Sequence, residues 1–160
     1  MEHQIVHITE KNLIGQAMEM SLDHDRTVEL FTKFMPRRKD ISNQIDHDLV
    51  EVMIYDSSYF MNFSPSMTFT KWVCVAVEHV ATYPEEMKQL IIKDGLYAVF
   101  TYKGHSAEFG KFMNAILVHW LPKSKYMLDD RPHFNILGAK YKNAHPDSEE
   151  EVYIPIKIIV

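Results

Sequence analysis

The spacing of apolar and polar positions changes period along the chain, and the changes mark its elements. "QIVHIT" at 4–9 sets Ile5 and Val6 ahead of a polar turn at Glu10–Asn12 and reads as a short strand. "LIGQAMEMSL" at 13–22 alternates in its later part, which predicts a second strand. Ala17 and Glu19 fall on one side of it, Met18 and Met20 on the other. The period then lengthens. Val28, Phe31, Phe34 and Met35 recur at helical spacing, with Asp23 or Asp25 available as a cap. Pro36 and the basic pair Arg37–Arg38 mark the end of that helix.

"LVEVMIYDSSYF" at 49–60 is a strand running into a turn, and "KWVCVAVEHV" at 71–80 is a strand rich in β-branched residues. A connection at 81–86 follows, and then two strands within 88–104 around the Asp94–Gly95 turn. The second helix carries the clearest stripe: Phe109, Phe112, Met113, Ile116, Leu117, Trp120 and Leu121. Ser106 would cap it, Glu108 suits its first turn, and Pro122 stops it. A polar loop at 123–132 leads to strands near 133–141 and 151–158, separated by Asn143–Ser148.

Each half of this order has a strand, a helix and a strand pair. The expected architecture is therefore α+β, a tandem βαββ repeat with antiparallel sheet and two main helices. It is expected as a single domain over 1–160, with halves of about 1–85 and 86–160. Two such units joined edge to edge would leave a central seam, a common place for a small-molecule groove.

Composition narrows the chemistry. The chain has 160 residues, 46% hydrophobic and 24% charged, with net charge −5, which argues against direct nucleic-acid binding. Its single cysteine, Cys74, forms no internal disulfide and fits a reducing, cytoplasmic setting. No apolar run approaches a membrane span, and the polar N-terminus is not a signal peptide. Nine His residues are scattered without metal-ligand spacing, and no phosphate loop, dinucleotide glycine pattern or GxSxG occurs, so no metal or cofactor is expected. The basic run at Arg37–Lys39 is explained by a helix end.

Several strings resemble the GyrI-like small-molecule-binding domain, the effector-binding part of multidrug-responsive regulators of the AraC and MerR types. They are "GLYAVFTYKG", "HWLPKSKYMLDDRPHF" and "SEEEVYIPI", in order over 95–157. "AMEMSL" and "FMPRRKDISNQID" are similar to its stand-alone members. The resemblance implies a pseudo-twofold fold with a central groove for flat, apolar, often cationic ligands. The implied function is sensing or sequestering such a compound, with a protein partner such as gyrase or a regulator. Hydrolysis of small electrophilic compounds, proposed for some relatives, is the alternative.

The resemblance also places a glutamate where this chain has Asn135, within "RPHFNIL". A buried carboxylate among rings attracts a lipophilic cation; an amide is neither an anion nor a general base. Glu19 is then a candidate replacement acid, and an Asn bonded to neighbouring backbone is the plain alternative. Alternation in the last strand puts Val152, Ile154 and Ile156 under a helix and turns Tyr153 to the groove, where relatives often carry Trp. Tyr97, Tyr55, Met18, Met20 and Trp120 complete the expected ligand-binding set; no residue is expected to be catalytic. Glu149 and Glu150 read as a solvated strand start.

Overall fold

Strand β1 (Gln4–Ile8) and strand β2 (Lys11–Ser21) are two residues apart, yet they do not pair. In the computed structural model, which describes residues 1–80 and 82–160, β1 pairs with β6 (Gly95–Lys103). Strand β5 (Lys88–Ile92) in turn pairs with β2. Ala81, the first residue of the expected connection, lies outside the described residues. The other strands are β3 (Leu49–Ile54), β4 (Thr68–Val77), β7 (Tyr126–Leu128), β8 (His133–Leu137) and β9 (Glu149–Ile158). Their order is β1-β6-β9-β8-β3-β4-β2-β5, with β7 added to β9, and every pairing is antiparallel. The fold is α+β, with a nine-stranded antiparallel sheet and two main helices.

Both helices lie on one face of the sheet. Helix α1 (Thr27–Phe34) packs Leu30 and Phe34 onto Ile14 and Met20 of β2, Val73, Val75 and Val77 of β4, and Leu49 and Met53 of β3. Helix α2 (Phe109–Asn114) continues through wider π-helical turns at Ala115–Trp120. It packs Ile116 and Leu121 onto Ala98, Phe100 and Tyr102 of β6 and Val152, Ile154 and Ile156 of β9, as alternation in β9 predicts. The opposite face has its own core of Leu13, Val50, Val52, Trp72, Cys74, Tyr97 and Phe134. Ile8 from one edge strand and Ile92 from the other join that same cluster, so both edges of the sheet share one core. Burial raises the Cys74 thiol pKa well above its usual range, which makes it an inert core residue.

Local chemistry modifies several expectations. Val28, placed on the apolar stripe by its spacing, is 81% exposed, and Leu30 takes the inward position. The α1 backbone begins beside Asp25, whose carboxylate accepts from the Thr27 N–H at 2.9 Å. The segment before α2 is capped by His105, not Ser106: its Nδ1 accepts from the Ala107 N–H at 3.0 Å. The loop expected at 123–132 contains β7, and β8 ends at Leu137 rather than near 141.

Candidate functional site

Helix α1 sits over β2 and β4, and α2 over β6 and β9, so the helix face of β3 and β8 lies between them. Across that face one row reads Gln16, Val73, Glu51, Asn135, Val152, Phe100, from β2 through β4, β3, β8 and β9 to β6. Glu51 and Asn135 are therefore direct cross-strand partners, a geometry that sets side chains about 5 Å apart. Both are inward, at 8% and 4% exposure. A buried acid needs a partner, and Glu51 has one: Lys71 Nζ lies 3.0 Å from its Oε2. Lys71 also donates to Thr27 Oγ1 at 3.1 Å, which ties this ion pair to the start of α1.

A second carboxyl group faces the same floor. Burial, and then the Glu51 charge, push the Glu150 pKa up to about 7, against a smaller opposing pull from Lys71. The Tyr141 hydroxyl pKa is raised by burial and by the charges of Glu51 and Glu150. Glu150 is thus not the solvated strand start its acidic neighbours suggest. Its even position in β9 turns it to the helix face, as it does Val152.

Rings close one end. Tyr55 meets His133 edge-on at 4.9 Å, and Phe60 stacks on the same imidazole at 5.6 Å. Tyr59 and Phe69 pack on Tyr55. Burial lowers the His133 pKa to about 3, so the imidazole is neutral, and its Nδ1 is buried without a partner. Gln16 Oε1, at the β2 end of that row, is likewise buried and unpartnered. Buried polar atoms are normally satisfied; among the described residues Trp72 Nε1 and Arg131 Nη1, outside this row, are also without a partner.

The expected ligand-binding residues fall into separate groups. Asn135, Tyr55, Met18 and Met20 share the helix face with the ion pair. Tyr153 and Tyr97 are on the opposite face. Tyr153 stacks on Phe134 at 4.4 Å, and Tyr97 donates to the Pro132 carbonyl at 2.7 Å under the Arg131 guanidinium. Burial pushes both phenol pKa values up to about 12. Trp120 packs on His3 and Phe100 under α2, away from Asn135. Glu19 is exposed and odd in β2, so it points away from the Asn135 face, and Glu51 is the acid that stands beside Asn135. Glu19 lines a different hollow of about 300 Å³ with Ile54, Tyr55, Asp56, Thr68 and Thr70 at the sheet's end. A larger one, about 520 Å³, lies beyond α1 between Arg38, Lys39 and His47. Sequence reasoning passed over Glu51, Lys71 and His133. The available signal was a lone acid inside the apolar run "LVEVMI", which as a strand must hide or pair it.

The chain belongs to the GyrI-like small molecule binding domain family, whose model matches residues 1–157. Three solved structures share the fold. EcmrR, in a complex with DNA, aligns over 99% of this chain with a TM-score of 0.73 and 12% identity. This chain spans 58% of the EcmrR chain's length. SAV2435 bound to tetraphenylphosphonium aligns over 98% of this chain and 94% of its own, with TM-score 0.66 and 12% identity. A hydrolase encoded by lin2189 from Listeria innocua aligns over 98% and 92%, with TM-score 0.63 and 10% identity. No curated protein matches the chain. Among the described residues no helix is long and apolar enough to cross a membrane.

Proposed function

We propose that this protein senses or sequesters a flat aromatic or lipophilic compound, held between α1 and α2 over the floor of Glu51, Lys71, Asn135 and Glu150. The observation that carries this reading is the inward Asn135 directly across the strands from Glu51 and its buried ion pair, with Tyr55, Phe60 and His133 supplying ring surface. The family's description and a structural neighbour that holds tetraphenylphosphonium support it. Asn135 and Glu51 are nearly closed to solvent, so admitting a ligand requires the side chains that cover them to move aside. We also infer one domain of two like halves, about 1–85 and 86–160, a reading supported by a strand order that is palindromic when β1, β2, β3 and β4 are exchanged with β5, β6, β8 and β9. A cytoplasmic setting and a protein partner such as gyrase or a regulator belong to the same proposal.

Thermal unfolding against a panel of flat neutral and cationic aromatics tests the binding reading. Saturable stabilisation is expected, about 2.7 kcal/mol at a hundredfold excess over Kd, and it should be lost in Asn135→Leu. Absence of a saturable shift with any compound, or a shift indifferent to Asn135, would overturn it.

A second reading has one observation behind it. Glu150 exchanges its proton near neutrality beside the Glu51–Lys71 ion pair, which suits general acid–base work on a small electrophile. Turnover of a p-nitrophenyl ester that Glu150→Gln abolishes would favour this hydrolase over the binding module.

A further inference from the structure

An isolated carboxylate on a ring-lined floor attracts a cation, because low dielectric strengthens the charge term and the ring faces add to it. Here that position is already taken. Lys71 Nζ lies 3.0 Å from Glu51 Oε2, with side-chain exposures of 17% and 11%. The ammonium is held from a second side by Thr27 Oγ1 at 3.1 Å, so it is fixed between β3 and α1. An incoming cation would have to displace it or lie against a partly buried like charge. An incoming anion would face Glu51 and, once it ionises, Glu150.

What remains is hydrogen-bonding capacity without an unpaired charge. Asn135 offers an amide donor and acceptor, and Lys71 has a third N–H. A buried site of this kind rewards a ligand that satisfies its polar atoms and penalises one that leaves them unpaired.

We propose that Lys71 sets the ligand specificity of this groove: by occupying Glu51, it makes the floor accept uncharged planar compounds with hydrogen-bonding groups, such as aromatic lactams and amides, and reject lipophilic cations. The inference rests on the groove being the binding site. Lys71 is a specificity residue and has no chemical step to perform.

The test uses two probes of the same three-ring shape: acridone, uncharged with a ring N–H and C=O, and N-methylacridinium, a cation. Fluorescence titrations at pH 6 are run on the full chain, on Lys71→Met, and on Lys71→Gln, which keeps a donor toward Glu51 if the Met variant fails to fold. The natural chain is expected to hold acridone about tenfold more tightly than the cation. Both variants should reverse that order, and adding Glu51→Gln to either should remove the cation affinity gained. A natural chain that prefers the cation, or folded variants that keep the acridone preference, would overturn the role of Lys71 while leaving the binding reading intact. If neither probe binds any of the proteins, both inferences fall together.

Discussion

At the scale of single residues the floor sets two opposed pH dependences. Glu150 has a folded pKa of about 7 against an ordinary 4.5, so the folded chain holds this proton more tightly than the unfolded chain. Stability from this group is complete below about pH 4.5 and is lost as pH rises through 7, by about 1–3 kcal/mol. His133 acts in the other direction. Its folded pKa is about 3 against 6.5, so its contribution is present above 6.5 and is lost as pH falls toward 3. The two slopes cancel in part between pH 4.5 and 6.5. Urea midpoints across pH should separate them. Glu150→Gln is expected to leave a stability that only rises with pH through this window, and His133→Phe one that only falls. Equal profiles in both variants would mean that neither group is buried as described. The sequence gives little sign of either behaviour. Glu150 sits in a run of three acids, where solvation is the ordinary reading, and His133 is one of nine scattered histidines.

At the scale of elements, strand β2 depends on a residue with no side chain. A Cβ on Gly15 would lie 1.9 Å from the Val73 carbonyl oxygen and 2.7 Å from the Cys74 Cα. These are backbone atoms of the adjacent strand β4, so nothing flexible can yield. Gly15→Ala is expected to cost about 3 kcal/mol or more. Gly110, in α2, has nothing within 4 Å of the same added atom, and Gly110→Ala should stabilise by about 0.5–1 kcal/mol. Denaturant midpoints at unchanged slope would check the pair, and similar effects from both substitutions would sink the close-approach argument. Element identity was legible because periodicity is local: the α2 stripe and the alternation of β9 both appear where spacing puts them. The faces of the candidate site were less so. Alternation separates Asn135 from Phe134 within a strand, but it cannot say that Tyr153 and Tyr97 lie on Phe134's side while Met18 and Tyr55 lie on Asn135's. That depends on register between strands far apart in the chain.

At the scale of the whole molecule, the edge strands have the most non-local role. Sequence periodicity finds β1 but gives no hint of its partner, because "QIVHIT" is followed at once by β2 and a hairpin is the obvious local choice. The chain instead sends β1 across to β6, with Gln4 to Ile8 opposite Val99 to Gly95, and later sends β5 back to β2. Ile5 joins the core under α2, Val6 and Ile8 join the core on the other face, and His3 packs on Trp120 at 4.7 Å. The N-terminus therefore takes its strand partner from the part of the molecule that follows residue 95, and meets its sequence neighbours only through the packing of Val6 and Ile8. Deleting residues 1–8 should leave β6 as an open edge and speed amide exchange first in β6, β9 and α2, while β2, β4 and α1 keep most of their protection. Hydrogen exchange with residue resolution would read this directly. Faster exchange in β2 and β4, or a uniform increase throughout, would mean that the ends of the sheet do not carry the coupling that the crossed edge strands imply.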